Sequence, residues 1–239
     1  MTQARRAFYA LPGSLAGDVV TILHPPYTAW HLSYVAIGAS LGPSIDWLRL
    51  AGTLAAFAFG LGLGAHALDE LHTRPLRTGL SDAALWFLAA LGLAVSTAIA
   101  IAGAFIISPW VLAVAALGVL LAAGYALEWS RHLHSDAGFG LAWGAFPVLV
   151  GYWAQREQLE WSVLAVAGGA VLLSMVQRSL STPARFVRRS TSEAGAHFDS
   201  NTGREHWNRN RLLRTWERPL RMLAWAMVLL AIGLVVAKG

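Results

Sequence analysis

The run AALWFLAALGLAVSTAIAIAGAFII, from Ala83 to Ile107, contains no charged side chain, and only Ser96 and Thr97 carry hydroxyls. A helix on the surface of a soluble domain turns a polar stripe to water, and this run has none to turn. At about 1.5 Å of rise per residue it is long enough to cross a hydrocarbon layer of about 30 Å. Runs of the same character recur at Tyr27 to Leu41, Leu48 to Leu68, Trp110 to Leu127, Ala137 to Ala154, Trp161 to Val176 and Leu220 to Ala237. Pro147 falls inside one of them, where a soluble helix would break but neighbouring membrane helices can satisfy the freed backbone.

The composition agrees. Of 239 residues 56% are hydrophobic and 13% charged, with 11 Trp, which is a membrane composition rather than that of a soluble domain. The fold class is therefore all-α: a polytopic transmembrane helix bundle of about seven spans. The spans occupy so much of the chain that residues 1–239 read as a single domain, with an N-terminal cytosolic or interfacial segment (1–26) and one basic cytosolic loop (178–218). Within the first segment, Pro12, Gly13, Gly17 and Asp18 interrupt the apolar residues. This argues against a cleaved signal peptide and for a short interfacial helix carrying Leu15, Val19, Ile22 and Leu23.

Numbering the spans in order sorts the cations sharply. Fifteen fall on the side of the N-terminus (Arg5, Arg6, Arg74, Arg77, Arg131 and the ten from Arg178 to Arg221), and three on the other (Arg49, Arg156, Lys238). The positive-inside rule then places the N-terminus in the cytosol and the C-terminus outside, in a cell inner or plasma membrane. The net charge of +5 is mostly this topology signal, and no nucleic-acid-binding module accompanies it. Within 178–218, Trp207, Leu212, Leu213 and Trp216 recur at near-helical spacing among arginines, which predicts a partly ordered cap or interfacial helix.

The chain has no cysteine, so any metal site must use imidazoles and carboxylates. Two helix ends offer them. The second span closes with His66, Asp69 and Glu70 at i, i+3 and i+4; the fourth closes with Glu128 and His132 at i and i+4, followed by His134 and Asp136. Side chains at these spacings share a helix face. Carboxylates alone suit Mg²⁺, whereas added imidazoles favour Zn, Mn or Fe. His66, Asp69, Glu70, Glu128, His132 and His134 are the candidate metal ligands. They are expected to converge in one cytosol-facing pocket below His31.

The residues after the second span carry a resemblance. His66-Ala-Leu-Asp69-Glu70 followed by Arg74-Pro75-Leu76-Arg77-Thr78-Gly79 resembles the first acidic motif and the Arg-Pro-Leu-x-x-Gly signature of the UbiA superfamily of intramembrane prenyltransferases. The patch from Gly138 to Pro147, with Gly151 and Tyr152, is similar to that family's Gly-rich helix. The resemblance covers about Leu23 to Arg189 and implies a UbiA-like bundle. It implies transfer of a prenyl group from an isoprenoid diphosphate to a lipid or quinone-type acceptor, with a divalent metal, Mg²⁺ in that family, holding the diphosphate. Asp69, Glu70 and Glu128 would be the catalytic carboxylates, with Asp69 the metal-binding one. Arg74, Arg77 and Arg131 would contact substrate.

The chain departs from that pattern in four places. His66 stands where the family has its first Asp, the spacing between Asp69 and Arg74-Pro75 is shorter, about seven spans replace nine, and the stretch Val176 to Arg185 holds no carboxylate where a second acidic motif belongs; the next is Glu193. Two other readings stay open: a His/carboxylate metalloenzyme acting on a lipid, and a non-catalytic protein that binds lipid or a partner through 178–218. The orientation can be checked directly. A reporter active only outside the cytosol, fused after Gly239, is expected to be active, and the same reporter at the N-terminus silent; the reverse result would overturn the odd number of spans.

Overall fold

The structure is a computed structural model that describes residues 7–11, 13–190 and 194–238. Arg5, Arg6, Pro12 and Glu193, which entered the sequence argument, lie outside the described residues. A short helix, α1 (Leu15–Ile22), is capped by Ser14, whose hydroxyl accepts the Gly17 N–H at 3.0 Å. The sequence predicts a short helix in this segment. Seven helical passes come after it. The first is α2 (Pro25–Ser40). The second runs without a break through α3 (Trp47–Phe57), a π-helical stretch (Ala58–Ala65) and α4 (His66–Thr73). Then come α5 (Asp82–Ile106) and α6 (Trp110–Ala126). The fifth pass joins α7 (Asp136–Gly140), a π turn (Leu141–Ala145) and α8 (Phe146–Arg156). Last are α9 (Trp161–Ser190) and α10 (Arg209–Val236).

Five of these passes are long and apolar enough to cross a membrane: Trp47–Thr73, Asp82–Ile106, Asp136–Arg156, Trp161–Arg189 and Arg209–Val236. The protein is a multi-pass membrane protein. The two shorter passes differ in kind. α6 is a plain apolar helix of 17 residues, whereas α2 has 16 residues and is the centre of the bundle, with Trp30, His31 and every residue from Ser33 to Ser40 buried. A helix enclosed by protein need not be uniformly apolar, so α2 tolerates His31, Ser33 and Ser40. Ser33 and Ser40 donate to carbonyls four residues back, at 2.7 Å each.

The segment 178–218 differs from its reading as one loop. α9 continues through Pro183 to Ser190, and α10 begins at Arg209, so helix occupies most of it. Between them stands an antiparallel hairpin, β1 (Gly195–Ser200) and β2 (Gly203–Asn208), pairing His197 with His206. Trp207 therefore lies in a strand, not on an interfacial helix; it packs on Phe198 and carries the Arg211 guanidinium over its ring at 4.5 Å. The helices extend because they pack on each other. Ala184 and Val187 meet Leu213, and a buried pair between Arg188 and Glu217 at 3.1 Å ties them together.

Backbone contact sets the bundle's geometry. A methyl built on Gly38 of α2 would fall 2.1 Å from the Val148 carbonyl oxygen, and one on Gly151 of α8 would fall 2.1 Å from that of Val35. The two helices cross backbone to backbone, the close approach that small residues allow in membranes. Gly92 of α5 likewise abuts the Gly64 nitrogen and Phe59 oxygen of the π stretch, at 2.5 and 2.6 Å from a built methyl. Gly38→Ala and Gly151→Ala are each expected to cost about 1–3 kcal/mol by overpacking, read as a lowered unfolding temperature in detergent. Gly168→Ala, where a methyl meets nothing, should leave it unchanged.

Candidate functional site

α9 carries a polar face that is turned inward. Ser174, Gln177, Ser181 and Arg188 are all buried and recur at spacings of three, four and seven, one side of a helix. Polar groups on a membrane helix face the bundle interior because lipid cannot satisfy them. Ser174 donates to the Tyr34 hydroxyl at 3.2 Å, which donates to the Ala170 carbonyl at 3.2 Å. Gln177 has no such partner: its Oε1 is buried without a hydrogen bond.

This face leads to a candidate cleft at the polar end of the bundle, where α4 and α9 finish. His66 donates from Nδ1 to the Gly62 carbonyl at 3.2 Å; since a carbonyl only accepts, the proton is on Nδ1 and Nε2 is the free base. The same logic applies to His31, whose Nδ1 donates to Trp143 O at 2.8 Å in the π turn. His24 stacks on His66 with ring centroids 4.1 Å apart, and its Nε2 is buried without a partner. Burial, then the charges of His66, Arg189 and Arg185, hold the His24 imidazole well below its ordinary range, so it is neutral at pH 7. Asp69, one turn beyond His66, is only partly exposed, and the charges acting on it most strongly are those of Arg189 and Arg185.

Tyr9 closes the cleft from above. Its ring sits edge-on to Tyr27 at 5.6 Å and tilted against His24 at 5.4 Å. Burial pushes its phenol far above the ordinary range despite the nearby Arg188, Arg189 and Arg185, so it remains an O–H donor. The strain is local as well. His24, Arg74, Arg77 and Glu128, four of the five non-glycine residues with positive φ among the described residues, all lie at this end. Left-handed backbone outside glycine is held only where the surroundings enforce it, and it concentrates at functional sites.

The remaining sequence-predicted residues divide. Glu70 has no exposed surface, and its carboxylate accepts the Leu76 and Thr78 N–H groups at 2.8 Å each and the Thr78 hydroxyl at 3.0 Å. It anchors the loop beyond α4. Asp18 assists by accepting the Gly79 N–H at 2.7 Å. Arg74 is drawn to the same loop, paired with Asp82 and donating to the Leu80 carbonyl at 2.7 Å, while Arg77 is exposed. At the end of α6, Glu128 is exposed and lies 3.7 Å from the His134 Nε2. His134 stacks on Tyr125 at 4.5 Å. Arg178 gathers this corner, bonding the Tyr125 hydroxyl, the His134 carbonyl at 2.8 Å and Asp136 at 2.5 Å. Arg131 and His132 are exposed.

The six expected metal ligands are therefore not gathered as a set. Among the described residues no group of three or more His, Asp or Glu side chains is placed to hold an ion. The donor chemistry explains this: Glu70 is held by its loop, Glu128 lies 3.7 Å from the His134 imidazole, and the charges acting on Asp69 include the guanidiniums of Arg189 and Arg185 as well as those two carboxylates. The residues present do not fit a divalent cation bridging two acidic motifs. Sequence reasoning missed Tyr9, Gln177, Arg185 and Arg189. The signal for the last three is the three-and-four spacing of polar residues from Ser174 onward, visible only once α9 is extended past Val176.

An apolar groove of about 310 Å³ runs between α3, α5, α6 and α8, lined by residues such as Phe57, Ile99, Val114 and Phe146. Neither Asp69 nor any arginine of α9 lines it, and its inner end is formed by Leu61, Ala122 and Trp143. These belong to the small apolar cluster that also packs on Tyr125 and Phe139, so the groove and the polar cleft are separated by that layer.

No protein-family model matches the chain, and no curated protein matches it. Among solved structures it is similar to that of a UbiA homolog from Archaeoglobus fulgidus bound to DMAPP and Mg²⁺. The TM-score is 0.58 and the sequence identity 15%, over 92% of this chain and 84% of that one. The chain shares its fold with that UbiA homolog. Glu70, the residue after Asp69, is a structural anchor. Glu70→Ala, which strands three buried donors, is expected to lower the unfolding temperature in detergent markedly, at about 1–3 kcal/mol per lost partner. Asp69→Asn, at the part-open cleft, should leave it within a degree or two.

Proposed function

We propose that the protein is a prenyltransferase, moving the prenyl group of an isoprenoid diphosphate onto a lipid or quinone-type acceptor at the cleft between α4 and α9. The observation that carries this reading is the UbiA fold over 92% of the chain, combined with a cationic cleft at the end of its second and sixth passes. The arginine asymmetry supports a cytosolic position for this cleft, the side on which a charged, water-soluble head group is delivered.

The chemistry asks three things of the site. The allylic C–O bond breaks with its electron pair leaving on the diphosphate, so that oxygen must be met by positive charge. C1 of the prenyl group must meet the acceptor away from water, and the aromatic rings of Tyr9 and Tyr27 over the cleft suit that screening. The new bond leaves a proton on the acceptor, and a base must take it. On this reading Asp69 or the Nε2 of His66 is that base, a role that the His66 Nδ1 contact with the Gly62 carbonyl supports by leaving Nε2 free.

The test is an assay of purified protein in lipid with C10 to C20 allylic diphosphates and a membrane lipid extract as acceptor, following pyrophosphate release and prenylated product by mass spectrometry. Product is expected, and Asp69→Asn should reduce its rate about 100-fold or more, the range for loss of a general base, with the protein still monodisperse. Absence of both pyrophosphate and product from every donor would overturn the transferase reading.

A further inference from the structure

Four arginines punctuate the inner end of α9, and they are not equivalent. Arg178 is neutralised by Asp136 and hydrogen-bonded to Tyr125 and His134; Arg188 is paired with Glu217. Arg185 and Arg189 have no carboxylate partner among the described residues. Their one hydrogen bond there is from the Arg185 Nη2 to the Thr182 hydroxyl at 3.2 Å. They stand one turn apart on the helix, where like charges repel, and each acts on the other, on Asp69 and on Tyr9. Two guanidiniums without a carboxylate partner among the described residues, with Asp69 the acid acting on Arg189 and Glu70 already held by its loop, leave positive charge available there.

The surrounding groups point the same way. The Tyr9 phenol is kept protonated and so offers an O–H. The Nε2 of His24 is buried beside it with no partner of its own. An oxyanion with several acceptor atoms answers these groups together, and guanidinium forks match phosphate oxygens geometrically. A divalent cation answers them less well, because it would sit against two guanidiniums, with Glu70 already held by its loop and Glu128 beside His134.

We infer that Arg185 and Arg189 grip a phosphate-bearing head group directly, with no divalent cation between protein and ligand. The inference rests on the transferase reading for the class of head group, a diphosphate. In it the arginines of α9 take over the charge neutralisation that metal-bound carboxylates perform elsewhere in this fold. The ligand source is either a lipid-borne diphosphate or the free anion, and the two differ in the hydrocarbon tail.

Calorimetric titration of the full chain in nanodiscs tests this, with inorganic pyrophosphate and geranyl diphosphate as probes, each in EDTA and in Mg²⁺. The expected result is binding in EDTA within about threefold of that in Mg²⁺. Arg185→Gln and Arg189→Gln should each weaken it about tenfold or more, the range for a lost charge-assisted hydrogen bond, and the double variant should abolish it. Arg185→Lys and Arg189→Lys, which keep the charge, should retain part of it and show that the fold is intact. Asp69→Asn separates the mechanisms by sign: it should leave binding unchanged or tighten it, since a negative charge beside the anion is removed.

Tighter binding of geranyl diphosphate than of pyrophosphate identifies the lipid-borne source and equal binding the free anion; the direct grip holds in both. Binding that vanishes in EDTA, returns with Mg²⁺ and weakens in Asp69→Asn would overturn the inference while leaving the transferase reading standing. No binding of either probe under either condition removes both.

Discussion

The backbones of α2 and α8 touch through Gly38 and Gly151, and much of the remaining structure depends on that contact. No side chain separates them, so α2 is drawn into the middle of the bundle and loses its lipid-facing surface. A helix enclosed this way can hold groups that a lipid-exposed helix rejects, and α2 holds His31 and Tyr34. His31 then reaches the Trp143 carbonyl, and Tyr34 reaches Ser174 and Ala170. These bonds tie the fifth and sixth passes to the first. The N-terminal end of α2 delivers His24 and Tyr27 to the cleft, and the left-handed backbone at His24 is the turn by which the chain enters the helix from α1.

The π stretches have a comparable effect on the second and fifth passes. Each π turn adds a residue to the helical circuit and rotates the residues beyond it. The stretch Ala58–Ala65 ends where the chemistry begins, so the facing of His66, Asp69 and Glu70 is set by a rotation that has already happened. Asp69 and Glu70 are adjacent, which on a helix separates them by about 100°. One therefore faces the arginines of α9 while the other faces away, into the loop that it anchors. Two neighbouring carboxylates are divided between two tasks by geometry alone.

The same geometry separates the parts of the molecule that could be read from the sequence from those that could not. The passes were legible because a membrane-length run without charge cannot present a polar face to water, and the ends agree with the helices at Ala83 to Ile107 and Trp110 to Leu127 to within a residue. The Arg-Pro-Leu loop and the Gly-rich fifth pass were legible as a resemblance to UbiA proteins, and the shared fold agrees with it. The site was less so. Spacing placed His66, Asp69 and Glu70 on one face, but it carries no information on which donors a loop will claim, and Leu76 and Thr78 claim Glu70. The extension of α9 was hidden because Arg, Ser, Thr and Pro after Val176 look like loop composition. They are helical because one face packs on α10 and the other lines a polar interior, both tertiary facts.

The fold also separates two requirements that a sequence motif merges. The architecture needs small residues at its crossings and a carboxylate to hold the loop after the second pass, and these are satisfied by Gly38, Gly92, Gly151 and Glu70 whatever ligand is bound. The cleft needs only that the charge of its ligand be balanced at low dielectric, where an unmatched charge is costly. Metal-bound carboxylates can meet that need, and so can guanidiniums, provided the carboxylates that would compete for them are few. Among the described residues Glu217 and Asp136 occupy Arg188 and Arg178, Glu70 is tied to its loop, and Asp69 is the acid among the charges acting on Arg189. With no carboxylate between Val176 and Arg185, the bundle is still held by its glycine crossings and by Glu70, and an anion at this end of α9 would be met by the guanidiniums of Arg185 and Arg189.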